Sequence, residues 1–246
     1  MTTKWLEGRV IENRHWTDAL FSLRVQLPGE APRLAFEAGQ FVRIALDERV
    51  ARPFSFVNPP ADPVLEFYGI VVPEGPLSPA LKRLGRGDRL LIASNPAGFL
   101  VLSEVPDAEV LWLVSTGTGI APFLSILRTS IPWQRFRKVV LVHAVRHRQE
   151  LVYQEMIRGI CENNALVYVT FVSREAAAGS LAGRIPAAMR DGRLEQAAGA
   201  SLDPRSHVML CGNPAMLRDA AAALGERGLR KHRRRTPGHI TVESFW

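Results

Sequence analysis

The sequence predicts a chain of class β + α/β: an N-terminal antiparallel β-barrel followed by a C-terminal parallel-sheet α/β domain. Two observations carry that prediction. Up to about residue 100 the apolar residues fall in short runs broken by Pro, Gly and Asp, whereas from about residue 108 the pattern becomes strand, turn and helix in repeated alternation. The change falls at SEVPDAE (103–109), where Pro and acidic residues interrupt the apolar runs, so the expected domains are 1–103 and 104–246.

In the first half the expected strands are WLEGRVIE (5–12), ALFSLRVQL (19–27), QFVRIAL (40–46), RPFSFVN (52–58), LEFYGIVV (65–72) and DRLLIAS (88–94), with one short helix in SPALKRLG (78–85). Short strands at this spacing read as a small antiparallel barrel. In the second half EVLWLVS (109–115) runs through STGTGIAP into a helix at FLSILRTS (123–130). KVVLVHAVR (138–146) precedes a helix in ELVYQEMIRGICEN (150–163), and LVYVTFVSRE (166–175) and HVMLCGNPAMLRDAAAALGERG (207–228) complete the alternation. The β-branched run HITVES at the end reads as a last strand of the same sheet.

The composition, 47% hydrophobic and 22% charged over 246 residues, is that of a globular protein long enough for two modest cores. Two cysteines, Cys161 and Cys211, belong to no CxxC pair, so a disulfide scaffold, a zinc site and a cysteine-held iron-sulfur cluster lack ligands. Together with an amino terminus lacking the apolar core of a signal peptide, this predicts a cytoplasmic protein. Lys and Arg outnumber Asp and Glu by 31 to 24, partly through RGLRKHRRR (227–235), a cluster that favours acidic partners. A nucleic-acid-binding face would interleave basic residues with stacking aromatics, and this cluster has none.

At Ser115-Thr116-Gly117-Thr118-Gly119 a buried strand breaks and resumes as a helix with Pro122 in its first turn; this is either a plain strand-to-helix turn, the GxGxxG fingerprint being absent, or a site where backbone and helix N–H groups meet a phosphate. Cys211-Gly212-Asn213-Pro214 places a second tight turn beside it, at the carboxyl edge where open α/β sheets bind ligands. Arg174 in VSRE and Arg184 in GSLAGRIP lie just past strands at that edge; either alone reads as a solvated surface arginine, and as a pair their planar forks suit a phosphate monoester. In ARPFSFVNPP, Arg52 offers a phosphate clamp, Phe54 a flat surface for a ring and Ser55 a hydrogen bond. Leu77 and Ser78 begin a short helix whose amides face the same need.

An RxFS barrel strand, GTGIAPF, VSRE, a later Arg, CGNP and a terminal VESFW, in that order along the whole chain, resemble the ferredoxin-NADP reductase family, specifically its bacterial ferredoxin or flavodoxin reductases. The resemblance implies an FAD-binding barrel and an NADP-binding α/β domain with the flavin between them. It implies that Arg52 binds the FAD pyrophosphate, Phe54 packs on the isoalloxazine, and Ser55 bonds near flavin N5, with Tyr68, Ile70, Val71, Leu77 and Ser78 completing the FAD site. Thr118 then sits between the flavin and the NADP pyrophosphate, and Arg146, Ser173, Arg174 and Arg184 hold the adenosine end of NADP. Cys211 and Glu243 flank the nicotinamide beside Ser55. Phe245 covers the second face of the flavin as a gate that moves aside for nicotinamide, and Trp246 reaches towards the adenine. Many relatives carry tyrosine where this chain has Phe54 and Phe245, which removes phenolic hydrogen bonds and keeps the stacking.

The implied activity is electron transfer between NADPH and an acidic ferredoxin or flavodoxin, by a monomer without nucleic acid or membrane. The alternative on the same fold is an NAD(P)H-dependent free-flavin or cytochrome reductase, against which the Arg174 and Arg184 pair argues.

Overall fold

The computed structural model describes residues 3–29 and 34–244. Its first half is an antiparallel sheet of β1 (Trp5–His15), β2 (Leu20–Gln26), β3 (Phe41–Ala45), β4 (Ala51–Ser55), β5 (Val64–Ile70) and β6 (Arg89–Ala93), in spatial order β4-β3-β6-β1-β2-β5. A bridge between Phe56 and Phe67, with the Val57 N–H donating to the Glu66 carbonyl at 2.9 Å, joins the two outer strands, so the sheet curls into the expected barrel. Phe21, Leu23, Ile44, Phe56, Phe67 and Leu90 fill its interior. Gly8 lets β1 and β2 approach closely there, since a methyl group at this position would meet Val25 Cγ1 at 2.5 Å. Helix α1 (Ser78–Lys82) plugs one end with Leu81, and the Asn13 amide donates to the carbonyls of Leu81, Lys82 and Leu84 where the helix ends.

The second half contains β7 (Val110–Thr116), α2 (Ala121–Leu127), α3 (Ile131–Arg135), β8 (Lys138–Val145), α4 (Gln154–Asn163), β9 (Leu166–Val172), β10 (Leu181–Ala182), α5 (Ile185–Arg190), α6 (Arg193–Ala198), β11 (Ser206–Gly212), α7 (Pro214–Gly225) and β12 (Ile240–Ser244). The sheet is parallel throughout, in order β10-β9-β8-β7-β11-β12, so the strand sequence reverses direction between β7 and β11. Trp112, Val114, Val140, Val142, Val208 and Leu210 pack with residues of α5, α6 and α7. The alternate residues Leu111, Leu113, Leu141 and Met209 pack with α2 and α4. Burial on both faces explains why these strands read as continuous apolar runs. The final strand anticipated in HITVES is β12, paired in parallel with β11.

Barrel and α/β half share a core, because Leu20, Ala38, Val57 and Tyr68 lie in the same cluster as Leu111, Phe123 and Leu141. Polar ties run alongside: Ser125 Oγ donates to the Asn58 carbonyl at 2.7 Å, and Arg128 donates to the Val57 carbonyl at 3.3 Å and Asp62 at 3.4 Å. Arg135 donates to the carbonyls of Leu102, Val105 and Pro106 in the segment between the two sheets.

Two local differences from the sequence reading matter for the site. The helix expected from residue 150 starts at Gln154, because Arg148–Glu150 forms a 3-10 turn and Tyr153 takes a left-handed φ of 59°. The strand expected to run to Val72 ends at Ile70. Among the described residues no helix is long and apolar enough to cross a membrane.

Candidate functional site

The turns after β7 and β11 interlock. A methyl group at Gly119 would lie 2.6 Å from the Cys211 carbonyl oxygen, and one at Gly212, where φ is 131°, would lie 2.2 Å from Thr116 Oγ1. Thr116 Oγ1 accepts the Asn213 N–H at 2.9 Å, and Asn213 Oδ1 in turn accepts the N–H groups of Ala215 and Met216, capping α7 behind Pro214. Under the first turn His143 is fully buried, and its Nε2 lies 3.0 Å from the Gly117 carbonyl. Desolvation lowers its pKa to about 4, so the ring is neutral and donates Nε2–H to that carbonyl. The sequence signal for His143, a lone histidine in an apolar strand, does not distinguish such a support from a core residue.

Beside these turns a cavity of about 460 Å³ opens against the barrel, within the ~300–1,000 Å³ usual for small-molecule sites. Arg52, Phe54 and Ser55 of β4 line it, as do Tyr68 and Ile70 of β5, Leu77 and Ser78 at the start of α1, and Thr118 and Ala121. The sequence-predicted residues of the barrel therefore converge, with one exchange: Val71 packs against the barrel core and Val72 lines the cavity, because the strand has ended and alternation no longer sets the facing. Gly69, not anticipated, seats the Phe54 ring, since a methyl group there would lie 2.9 Å from Phe54 Cε1. Ser78 Oγ accepts the Val72 N–H at 2.9 Å and so closes the loop on the cavity's rim. Arg52 is exposed, bonded through Nη1 to the Ala51 carbonyl, and in no ion pair among the described residues.

Two wall groups are incomplete. Ser55 Oγ and the Tyr68 hydroxyl are buried without a hydrogen-bond partner among the described residues, and burial raises the Tyr68 pKa, so both are neutral hydroxyls. Orphaned buried hydroxyls are costly unless a ligand supplies their partners. A flat apolar body with polar edge atoms suits this wall, with Phe54 as its platform.

Glu243 and Cys211 do not line the cavity. They pair in register on β12 and β11, and Cys211 is fully buried, which pushes its thiol well up, so it is no thiolate. Glu243 lies against the barrel: a methyl group at Gly98 would meet Glu243 Oε2 at 2.9 Å and the Phe41 ring at 3.0 Å, and Phe41 is the register partner of Ser55. Its Oε1 is buried without a partner among the described residues, and desolvation raises the carboxyl to about 7. Phe245 and Trp246 lie outside the described residues.

Arg146 follows β8, Ser173 and Arg174 follow β9, and Arg184 precedes α5, all exposed along one edge. The Arg174 N–H donates to the Arg146 carbonyl at 2.9 Å, and Ser173 donates through N–H and Oγ to the Val145 carbonyl, which ties the first three together. Neighbouring carboxylates are engaged with backbone: Glu150 accepts the Arg146 N–H and Glu175 the Arg148 N–H. Among the described residues none of the three arginines is in an ion pair. The basic run is less uniform than its sequence. Arg227 is bonded to Glu195 and the Met189 carbonyl, and Arg234 grips Glu104 through three bonds and lies 4.3 Å over the Phe99 ring. Arg230, Lys231, Arg233 and Arg235 remain exposed.

Residues 113–222 match the family model of the oxidoreductase NAD-binding domain. The chain is 49% identical to a flavodoxin/ferredoxin-NADP reductase of Shigella flexneri, with 98% of this chain and 99% of the relative covered. It is 48% identical, with the same coverage, to the reductase of that name from Escherichia coli K12. The fold superimposes on a crystal structure of a ferredoxin NADP+ reductase from Neisseria gonorrhoeae with bound FAD and NADP, with a TM-score of 0.93, 32% identity and 100% of both chains covered.

The raised carboxyl of Glu243 gives a pH dependence. Between the ordinary value of 4.5 and about 7 the folded chain holds a proton that the unfolded chain has lost, so stability falls as pH rises through that window and levels off above it. Glu243→Gln removes this contribution. The thermal midpoint of the wild type minus that of the variant is expected to decline from about pH 4.5 to about pH 7; a difference that stays flat across the window contradicts the buried, protonated carboxyl.

Proposed function

Because this chain belongs to the flavodoxin/ferredoxin-NADP reductase family, we propose that it is an FAD-dependent oxidoreductase passing electrons between NADPH and ferredoxin or flavodoxin. The observation that carries the reading is the cavity whose two orphaned hydroxyls, Ser55 Oγ and Tyr68 OH, flank an aromatic platform beside the interlocked turns. FAD fits it: the ring offers a flat apolar face and edge heteroatoms for those hydroxyls. Bound FAD supplies the exchange between the two-electron hydride of NADPH and the single electrons its carriers take.

The residues divide the remaining work. Arg52 holds the flavin pyrophosphate and Phe54 supports one ring face. Ser55 bonds the ring edge near N5, and Tyr68, Ile70, Leu77 and Ser78 complete the enclosure, with Val72 in the side-chain role first given to Val71. Thr118, on the turn that His143 braces, stands between the flavin and the pyrophosphate of NADP. Arg146, Ser173, Arg174 and Arg184 take the adenosine end, where planar guanidinium groups read the 2′-phosphate. Cys211 bounds the nicotinamide position as an uncharged thiol, and Glu243 stands beside it with a carboxyl that holds or releases a proton near neutrality. Residues 1–103 form the flavin-binding part and 104–246 the nucleotide-binding part. The exposed members of the basic run receive an acidic carrier. Two unpaired cysteines fit a reducing cytoplasm. The free-flavin or cytochrome reductase alternative requires no 2′-phosphate site, and the three arginines, without carboxylate partners among the described residues, favour NADP over it.

Arg174→Ala and Arg184→Ala are each expected to raise KM for NADPH about tenfold or more with kcat nearly unchanged, and to leave KM for NADH almost where it was. Equal changes for both nucleotides contradict the 2′-phosphate assignment. Raising ionic strength is expected to slow turnover with a protein carrier steeply and turnover with a small neutral acceptor little, and equal slowing of the two removes the case for charge-guided docking.

A further inference from the structure

Tyr153 is the one non-glycine residue among the described residues with φ in the left-handed region, at 59°. An L side chain is disfavoured there by contact with its own backbone, and such a conformation persists only where the surroundings hold it. The residue is buried, and its side chain is held from across the boundary between the two sheets. Its hydroxyl donates to Glu66 Oε1 at 2.9 Å, and the other oxygen of that carboxylate lies 3.9 Å from the Arg128 guanidinium. On one side the Tyr153 ring meets Trp16, which follows β1, at 4.9 Å between centroids; on another it meets Tyr68 edge to face, at 5.4 Å and 86°.

Glu66 and Tyr68 are two residues apart on β5 and so project from one side of the strand. Tyr153 therefore grips the same side of β5 twice, by a hydrogen bond to Glu66 and by an aromatic contact with Tyr68. Tyr68 is also a wall of the cavity, with a buried hydroxyl that no group among the described residues satisfies. The strained backbone has a purpose in this arrangement: it turns the chain out of the 3-10 turn at Arg148–Glu150 and delivers the ring to β5 before α4 begins. We propose that Tyr153 is a positioning residue for the flavin, fixing Tyr68 so that its hydroxyl meets the bound cofactor. The proposal rests on the FAD reading above. It also makes one short segment carry both Arg146, at the adenosine end, and the residue that braces the flavin wall.

The test is a double-mutant cycle on the purified holoprotein, reading FAD retention from the fluorescence of flavin released on serial dilution and the visible circular dichroism of the flavin that stays bound. Tyr68→Phe removes the hydroxyl; Tyr153→Leu keeps bulk but removes the ring and its bond to Glu66. Each is expected to weaken FAD retention about fivefold. If Tyr153 acts through Tyr68, the double variant releases FAD no more readily than the weaker single variant, and its dichroism matches that of Tyr153→Leu. Multiplying effects, about 25-fold in the double variant, overturn the proposal. Tyr153→Phe, which keeps the ring and loses the hydroxyl's bonds to Glu66 and Ser22, gives the same non-additive pattern at smaller amplitude and replaces Tyr153→Leu if that variant does not fold. A wild-type protein that binds no FAD overturns the flavin reading itself, whereas FAD binding with additive effects overturns only the role of Tyr153.

Discussion

The ligand edge depends on how closely two chain reversals pass each other at the carboxyl ends of β7 and β11. Gly119 and Gly212 have no room for a side chain, because the opposing backbone and Thr116 occupy that space. The contact is fixed by the Asn213 N–H on Thr116 Oγ1 and supported from beneath by His143. The reversal of strand order between β7 and β11 makes this the crevice where an open parallel sheet accepts a ligand. With side chains excluded from the contact, backbone amides and the start of α7 can approach a phosphate group.

The barrel contributes what the turns lack, a flat apolar surface with a few polar atoms. Gly69 gives the Phe54 ring its seat, while Ser55 and Tyr68 present hydroxyls that the described residues leave unsatisfied. A buried hydroxyl without a partner opposes folding, and among the described residues nothing supplies one to either position. On the proposed reading cofactor binding and barrel stability are coupled, because the group that performs the chemistry would also complete the hydrogen bonding of the wall. The shared apolar core, with Leu20 and Tyr68 beside Leu111 and Phe123, holds the two halves in the register that this needs.

Much of this was legible in the chain. Period-two strands, the switch to strand-helix alternation, and glycines inside STGTG and CGNP all state local backbone requirements, and local requirements can be read from short stretches. What escaped reading depended on distant partners or on where a strand stops. Val72 replaces Val71 at the cavity because β5 ends at Ile70. The helix after β8 starts late because Tyr153 is drawn to Glu66, 87 residues away in sequence. Arg234 looked like one more surface charge in RGLRKHRRR, yet its partner Glu104 lies 130 residues earlier. Cys211 was placed correctly at a strand end, but its complete burial follows from the neighbouring strands and from Gly119, which spacing alone does not reveal.

The central claim is that the cavity between barrel and sheet holds FAD in position to exchange electrons with a nucleotide selected by its 2′-phosphate. The visible absorption spectrum of the purified protein, followed during anaerobic titration with NADPH and separately with NADH, tests both parts at once. The account predicts flavin bands that bleach with about one equivalent of NADPH and barely with the same amount of NADH, since the flavin takes up one hydride and the arginine edge discriminates the nucleotides. A colourless protein, or one bleached equally by both, would contradict it.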